Sequence, residues 1–161
     1  MTNPRISVIV IGFDMGRELP RTVVSLLPPY QRGIDEHEIE IIVIDNGSAI
    51  ALAPEDLPAS PAVRLIRRDD GSSSPAAAIN AGVLQARGDV IAVMVDGARM
   101  VSPGIIRRSL EALVTGPNVL VATLGFHLGP KVQQISVDEG YDRQVENELL
   151  NTINWPSDGY R

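Results

Sequence analysis

Apolar and polar positions follow two different periods along the chain, one typical of strands and one typical of helices. Parallel strands that are buried on both faces read as short, nearly continuous apolar runs, often β-branched. The predicted strands occupy residues 6–11, 39–44, 63–67, 89–95 and 119–124. Helices are predicted between them over residues 17–27, 75–87 and 103–114. This alternation predicts an α/β fold, a mostly parallel open sheet with helices on both faces.

Serine followed by proline marks the start of two of these helices. Ser74 and Ser102 each precede a proline, which would place a capping hydroxyl before a proline at the first helical position. Beyond residue 124 the pattern weakens, and only residues 142–153 have the spacing of an amphipathic helix. We therefore predict an α/β core over residues 1–124 and a different region over residues 125–161.

Composition and charge narrow the functional classes. The chain has 161 residues, of which 44% are hydrophobic, and 20 acidic against 14 basic residues give it a net charge of −6. This balance argues against nucleic acid as a partner, because nucleic-acid binding needs a basic surface. Cysteine is absent, which excludes disulfides and catalytic thiols. No apolar run approaches the roughly 20 residues of a membrane span. The absence of a recognisable secretory signal predicts a cytoplasmic protein.

Carboxylates follow three of the predicted strands, at Asp14, Asp45 and Asp96. Open α/β sheets bind ligands beyond the carboxyl ends of their strands, where parallel neighbours would bring these three groups to one edge. Because like charges repel, such a cluster indicates a cation or ligand hydroxyls between them. A solvated acidic edge without a ligand is the alternative. The mixed-charge run at residues 67–70 is interpreted as a solvated edge of that kind.

Several familiar catalytic and phosphate-binding motifs are absent. Residues 12–16 (GFDMG) lack the glycine spacing of the dinucleotide fingerprint, and no glycine-rich stretch ends in Lys-Ser or Lys-Thr. No serine nucleophile elbow is present either. Dehydrogenases of the Rossmann type and P-loop enzymes are therefore disfavoured.

Four sequence blocks, in their order and spacing, resemble the N-terminal half of family-2 glycosyltransferases. The blocks are residues 6–14 (ISVIVIGFD), 40–48 (EIIVIDNGS), 74–82 (SPAAAINAG) and 88–96 (GDVIAVMVD). The resemblance extends over about residues 5–115 and implies the nucleotide-diphospho-sugar transferase (GT-A) fold. It implies transfer of a sugar from a nucleotide-diphospho-sugar donor to an acceptor that is a carbohydrate, a lipid-linked sugar or a protein. A lipid-linked acceptor would place the protein at the inner face of the membrane.

The resemblance also implies roles for individual residues. Gly12, Phe13 and Asp14 match the corner that contacts the base and ribose, although the family commonly has Asn where this chain has Asp14. Asp45 matches the Asp that holds the nucleobase or ribose, and a fixed carboxylate can accept two hydrogen bonds from an imide or a diol. Asn80 matches the segment that lines the donor sugar and diphosphate.

Asp96 matches the first Asp of the family's Asp-x-Asp metal motif, which holds Mg²⁺ or Mn²⁺ against the donor diphosphate. The second Asp of that motif is replaced here by Ala98, whose methyl group cannot bind a metal. Two interpretations stay open. A metal is held by Asp96 with water and phosphate oxygens, or Arg99 neutralises the diphosphate directly through its forked guanidinium.

An inverting transfer needs a general base, and no residue of this chain matches one. The resemblance therefore divides the chain into a nucleotide-sugar-binding core over residues 1–124 and the start of an acceptor-side region, truncated, over residues 125–161. The alternative function is a catalytically inactive nucleotide-sugar-binding module or fragment. A sugar-phosphate nucleotidyltransferase is disfavoured, because residues 12–17 do not match its glycine-rich basic loop. The isolated chain is expected to bind donor nucleotide and to turn over poorly.

Overall fold

The computed structural model describes residues 3–69, 74–95, 97 and 99–157. The chain divides into two compact units, residues 1–107 and 108–161. Asp96 and Ala98, which carry the predicted metal motif, lie outside the described residues.

The first unit is built on a sheet of four parallel strands. The strands are β1 (Ile6–Gly12), β2 (Ile39–Asp45), β3 (Val63–Arg67) and β4 (Val90–Met94), in the spatial order β3-β2-β1-β4. Every residue of β1 and β2 is buried, because each of these strands has a neighbour on both sides. Their register pairs Gly12 with Asp45, so these two strands end at the same height. The predicted α/β class and parallel sheet are confirmed.

Helices cover both faces of this sheet. The helices of the first unit are α1 (Leu19–Leu26), α2 (Pro75–Gln85) and the start of α3 (Ile105–Leu113). On one face, α2 packs on Ile9 and Ile44, so closely that a Cβ on its Gly82 would lie 2.5 Å from Ile9 Cγ2. On the other face, a Cβ on Gly12 would lie 2.5 Å from Leu19 Cδ1 of α1. Successive strand residues point to opposite faces, which explains why Gly12 and Ile9 contact different helices.

A buried charged group lies near the amino ends of the strands. Glu40 pairs in register with Ser7 and accepts a 2.6 Å hydrogen bond from the Ser7 hydroxyl. Its carboxylate also binds the Nε atom of Arg87 at 2.7 Å and the Nη2 atom of Arg64 at 3.0 Å. Buried carboxylates need such partners. This cluster ties β1, β2 and β3 to the segment that follows α2.

The predicted fifth strand is wrong for the part of the chain that the structure describes. Residues 119–124 join no sheet there, and the side chains of Leu120 and Leu124 are 91% and 86% exposed. A β-branched run favours a strand only where a neighbouring strand takes up its backbone hydrogen bonds, and no described strand does so. The second unit instead contains α4 (Gln133–Asp138), which has no clear sequence period, and α5 (Arg143–Thr152).

The helix starts were predicted with mixed success. Ser74 caps α2 through its hydroxyl, which accepts from the Ala76 amide at 3.3 Å, as the Ser-Pro pair predicts. At the second Ser-Pro pair the helix begins later, at Ile105, so Ser102 is not its cap. In the second unit, Asp142 caps α5 by accepting from two backbone amides, which confirms the helix predicted over residues 142–153. No helix among the described residues has the length and apolarity that crossing a membrane requires.

Candidate functional site

Two loops meet at the carboxyl edge of the sheet, one following β1 and one following β2. The backbone amide of Asp14 donates a 2.9 Å hydrogen bond to the Ser48 hydroxyl, and Oδ1 of Asp14 accepts from the Ala49 amide at 2.8 Å. The Asn46 amide donates to the carbonyl of Gly12 at 2.8 Å. These three bonds fix the position of the first loop against the second.

Asp14 adopts a left-handed backbone conformation, with φ = 53°. An ordinary L-residue rarely does so, and Asp, Asn and Gly are the residues that tolerate it. The sharp turn directs the Asp14 carboxylate towards the β2 loop, where it meets the Ala49 amide. Strained backbone of this kind clusters at functional sites.

Asp45 lies beneath the same edge and organises the β2 loop. Its side chain is 1% exposed, and its Oδ1 accepts from the Ser48 amide at 2.9 Å. Its Oδ2 accepts from the Leu52 amide at 3.1 Å and from Arg67 Nη1 at 2.7 Å. Both carboxylate oxygens are therefore occupied by the chain itself, and Asp45 determines the shape of residues 45–52.

The pKa of Asp45 reflects this environment. Burial on its own raises the pKa of the carboxyl group. The hydrogen bonds from Ser48 and Leu52, together with the one from Arg67, outweigh burial and hold the pKa below its usual value. Asp45 is thus a buried anion, stabilised by its loop and by one arginine.

Arg67 shows that the run at residues 67–70 is not merely a solvated edge. Besides Asp45, its guanidinium binds the carbonyl of Ser48 at 3.1 Å and the carboxylate of Asp69 at 2.7 Å. Asp70 lies outside the described residues. The sequence did carry a signal for this contact, since Asp45 and Arg67 end neighbouring parallel strands and are paired in register.

The joined loops border an open cleft of about 530 Å³. Its walls are residues 14, 16 and 17 of the first loop, residues 49–52 of the second and the side chain of Asp56. Ligand sites for small molecules have volumes of this order and combine apolar walls with a few polar groups. Of these residues, the sequence patterns distinguished Asp14. They did not distinguish Arg17, Ile50 or Asp56.

The other predicted site residues lie in different environments. Gly12 is buried, and its carbonyl helps to join the two loops. Phe13 is 56% exposed, and both Asn80 on α2 and Arg99 are exposed as well. The structure therefore brings Asp14 and Asp45 together through Ser48. Neither Asn80 nor Arg99 is among the residues that line the cleft.

Metal binding is predicted through Asp96, which lies outside the described residues. Within the described ranges, no group of three or more histidine, cysteine, aspartate or glutamate residues is arranged to hold a metal ion. Asp45 in particular has no free oxygen for a metal, because both of its carboxylate oxygens accept hydrogen bonds from its own loop and from Arg67. The described residues alone therefore do not fit a metal.

Comparison with known proteins agrees with this architecture. The model of Glycosyl transferase family 2 matches residues 7–149. Among solved structures, S. aureus TarS 1-349 is similar with a TM-score of 0.57 and 17% identity, over 74% of this chain and 38% of that one. A second structure of S. aureus TarS gives 0.56 and 18%, over 68% of this chain and 19% of that one. No curated protein matches the sequence.

These similarities differ in what they show. The structural likeness, at under a fifth of residues identical, concerns the fold, and the chain spans well under half the length of either TarS structure. The family match extends over most of the sequence, including the cleft and all four strands except the first residue of β1. The chain therefore belongs to glycosyltransferase family 2 and has the nucleotide-diphospho-sugar transferase fold.

Proposed function

We propose that this chain binds a nucleotide-diphospho-sugar donor at the carboxyl edge of its sheet, as the donor half of a sugar transfer to a carbohydrate, lipid-linked or protein acceptor. The observation that carries the proposal is the joining of Asp14 and Asp45 through Ser48. Two loops held in this way build a cleft of about 530 Å³, within the range of small-molecule sites, at the edge where α/β sheets bind ligands.

In this proposal the nucleoside occupies the cleft between residues 14–17 and 49–52. The carboxylate of Asp14 and the backbone groups of these loops supply hydrogen-bond acceptors and donors for the base or ribose. Leu52, whose amide is held by Asp45, supplies an apolar surface next to it. Asp45 acts from beneath the cleft as the residue that fixes the loop, since its oxygens are already engaged.

The diphosphate would extend from the cleft towards the loop after β4. Arg99 in that loop is an exposed cation, and its forked guanidinium suits a phosphate. A metal held by Asp96 would supply the same positive charge to the leaving group. No step of the proposal depends on that metal, because the described residues form no ligand set for it.

Isothermal titration calorimetry with UDP, GDP and TDP tests the proposal. We expect one of the three to bind the 161-residue chain. Ala51→Trp, which places an indole in the cleft, should weaken that binding at least about tenfold. The matched control is Ala59→Trp, at an exposed position of the same connection that does not line the cleft. The proposal is contradicted if no nucleotide binds, or if both variants bind like the parent chain.

The same titration separates the two ways of neutralising the diphosphate. Equal affinity in EDTA and in MnCl₂, together with loss of binding in Arg99→Ala, would assign the diphosphate to Arg99. A strict requirement for Mn²⁺ in the parent chain, together with loss of this Mn²⁺-dependent binding in Asp96→Asn, would assign it to a metal on Asp96.

A further inference from the structure

Three buried polar side chains connect α1 and the segment after it to the loop that follows β4. Thr22 and Ser25 lie on α1 and are fully buried, and Gln31 follows the helix and is 2% exposed. We refer to these three side chains as the polar anchor. Apolar residues could fill the same space without needing hydrogen-bond partners, so the contacts of these groups indicate what the anchor does.

Two members of the polar anchor hold the loop on either side of Arg99. The hydroxyl of Thr22 donates to the carbonyl of Gly97 at 2.5 Å. The hydroxyl of Ser25 accepts from the amide of Val101 at 3.0 Å and donates to the Thr22 carbonyl. Arg99 thus lies midway between two backbone groups that are fixed to the same helix, two residues from each.

Gln31 uses both ends of its amide. Its Nε2 donates to the carbonyls of Ser25 and Ser102, at 2.7 and 3.1 Å. Its Oε1 accepts from the amides of Gly104 and Ile106, at 3.2 and 3.4 Å. The amide groups at the start of a helix need acceptors, and Gln31 supplies one here from a distant segment. This explains why α3 begins beyond Ser102.

We infer that the polar anchor positions the loop after β4 for the donor diphosphate, so that Thr22, Ser25 and Gln31 are positioning residues for that part of the ligand. The inference rests on the proposed function. Among the described residues, the side-chain hydrogen bonds of the anchor go to its own helix, to the loop after β4 and to the start of α3, and not to a residue that lines the cleft. Its effect should therefore fall on recognition of the diphosphate and leave recognition of the nucleoside unchanged.

The test compares a nucleoside diphosphate with its monophosphate, using the base that binds among UDP, GDP and TDP. The double variant Thr22→Val/Ser25→Ala removes both hydroxyls at nearly constant volume. We expect its affinity for the diphosphate to fall about tenfold, and its affinity for the monophosphate to change less than about twofold. Thr22→Ser keeps a hydroxyl at that position and should bind both nucleotides within about twofold of the parent chain.

Gln31→Leu is the stronger variant, and its folding is checked by circular dichroism and thermal unfolding. If it stays folded, we expect a larger loss of diphosphate affinity than in the double variant. If it unfolds, the double variant and Thr22→Ser decide. Equal losses for diphosphate and monophosphate, or no loss in the double variant, would overturn the inference and leave the proposed function intact. Absence of nucleotide binding to the parent chain would instead remove the proposed function itself.

Discussion

Arg67 donates from Nη1 to Oδ2 of Asp45 across a distance of 2.7 Å, at the carboxyl ends of two strands that pair these residues in register. The contact connects a buried anion to a cation that is partly in solvent, with 34% of the Arg67 side chain exposed. The same guanidinium also donates to the carbonyl of Ser48 and so holds the β2 loop in place. One arginine therefore stabilises the wall of the proposed nucleotide cleft from behind.

Replacing Arg67 should consequently weaken nucleotide binding although Arg67 does not line the cleft. In Arg67→Ala, Asp45 stays buried without its charged partner, and we expect nucleotide affinity to fall about fivefold and stability by about 1 kcal/mol. Arg67→Lys keeps the charge but cannot bind Asp45 and Ser48 in the same forked manner. Its nucleotide affinity and stability should therefore lie between those of the parent chain and those of Arg67→Ala. Calorimetry and urea unfolding measure these effects. Unchanged nucleotide affinity in Arg67→Ala would show that the loop does not depend on this arginine.

The left-handed backbone of Asp14 allows its conformation and its carboxylate to be tested separately. Asp14→Gly keeps the conformation but removes the side chain and its hydrogen bond from the Ala49 amide, so its stability should fall by about 1 kcal/mol and its nucleotide affinity about tenfold. Asp14→Ala also removes the side chain and adds about 1–2 kcal/mol of strain. Asp14→Asn keeps an acceptor oxygen and tolerates the conformation, so it should bind within a few-fold of the parent chain. Thermal unfolding and calorimetry on the three variants check this order, and equal affinity in all of them would remove Asp14 from the site.

The buried Glu40 should make stability depend on acidic pH. Burial raises the pKa of this carboxyl group, but the hydrogen bonds from Ser7 and Arg87 and the charge of Arg64 prevail and lower it. A lowered folded-state pKa stabilises the protein fully above the unfolded value of about 4.3, and this contribution is lost as the pH falls through the folded pKa. Asp45 acts in the same direction.

Glu40→Gln should therefore lower the free energy of unfolding by about 2 kcal/mol at pH 7. Between about pH 5 and pH 3 this variant should lose less stability than the parent chain does. Glu55→Gln, at an exposed carboxylate, is the matched control and should follow the parent curve. Urea unfolding at a series of pH values measures both. A parent curve that is flat over this range would contradict the assignment.

The contact between α2 and the sheet has no room for an additional methyl group at Gly82. A Cβ there would meet Ile9 Cγ2 at 2.5 Å and Ile44 Cδ1 at 3.1 Å. Gly82→Ala should destabilise the protein by about 1–2 kcal/mol, even though alanine is the better helix former. At Gly116 an added Cβ would lie 3.9 Å from Val119 Cγ2, which is an ordinary van der Waals distance. Gly116→Ala should therefore change stability little. If Gly82→Ala is as stable as the parent chain, the helix is not packed as closely as described.

The elements that could be predicted from the sequence are those whose signal is local. The runs at residues 6–11 and 39–44 are strands because every position is buried, and Ser74 with Pro75 correctly marks the start of α2. The run at residues 119–124 is similarly apolar but joins no described sheet, because a strand also needs a neighbour that no local pattern specifies. The cap of α3 was missed for the same reason, since Gln31 lies 73 residues from Gly104.

The candidate site was predictable to a similar extent. Parallel strands place Asp14 and Asp45 at one edge, as the positions after two apolar runs indicate. The sequence does not reveal that both oxygens of Asp45 are engaged by its own loop, because those hydrogen bonds depend on the turn at residues 46–52. Asp96 lies outside the described residues, so its place beside the other two carboxylates stays a prediction.

Amide chemical shifts offer the most direct test of the claim that the loops after β1 and β2 form a nucleotide site. The ¹⁵N-labelled chain is titrated with UDP, GDP and TDP, and the shift changes are assigned along the sequence. We expect the largest changes at residues 14–17 and 45–52, with little change at the amino-end cluster around Glu40. Shift changes that are absent with all three nucleotides, or that are concentrated away from these loops, would contradict the account.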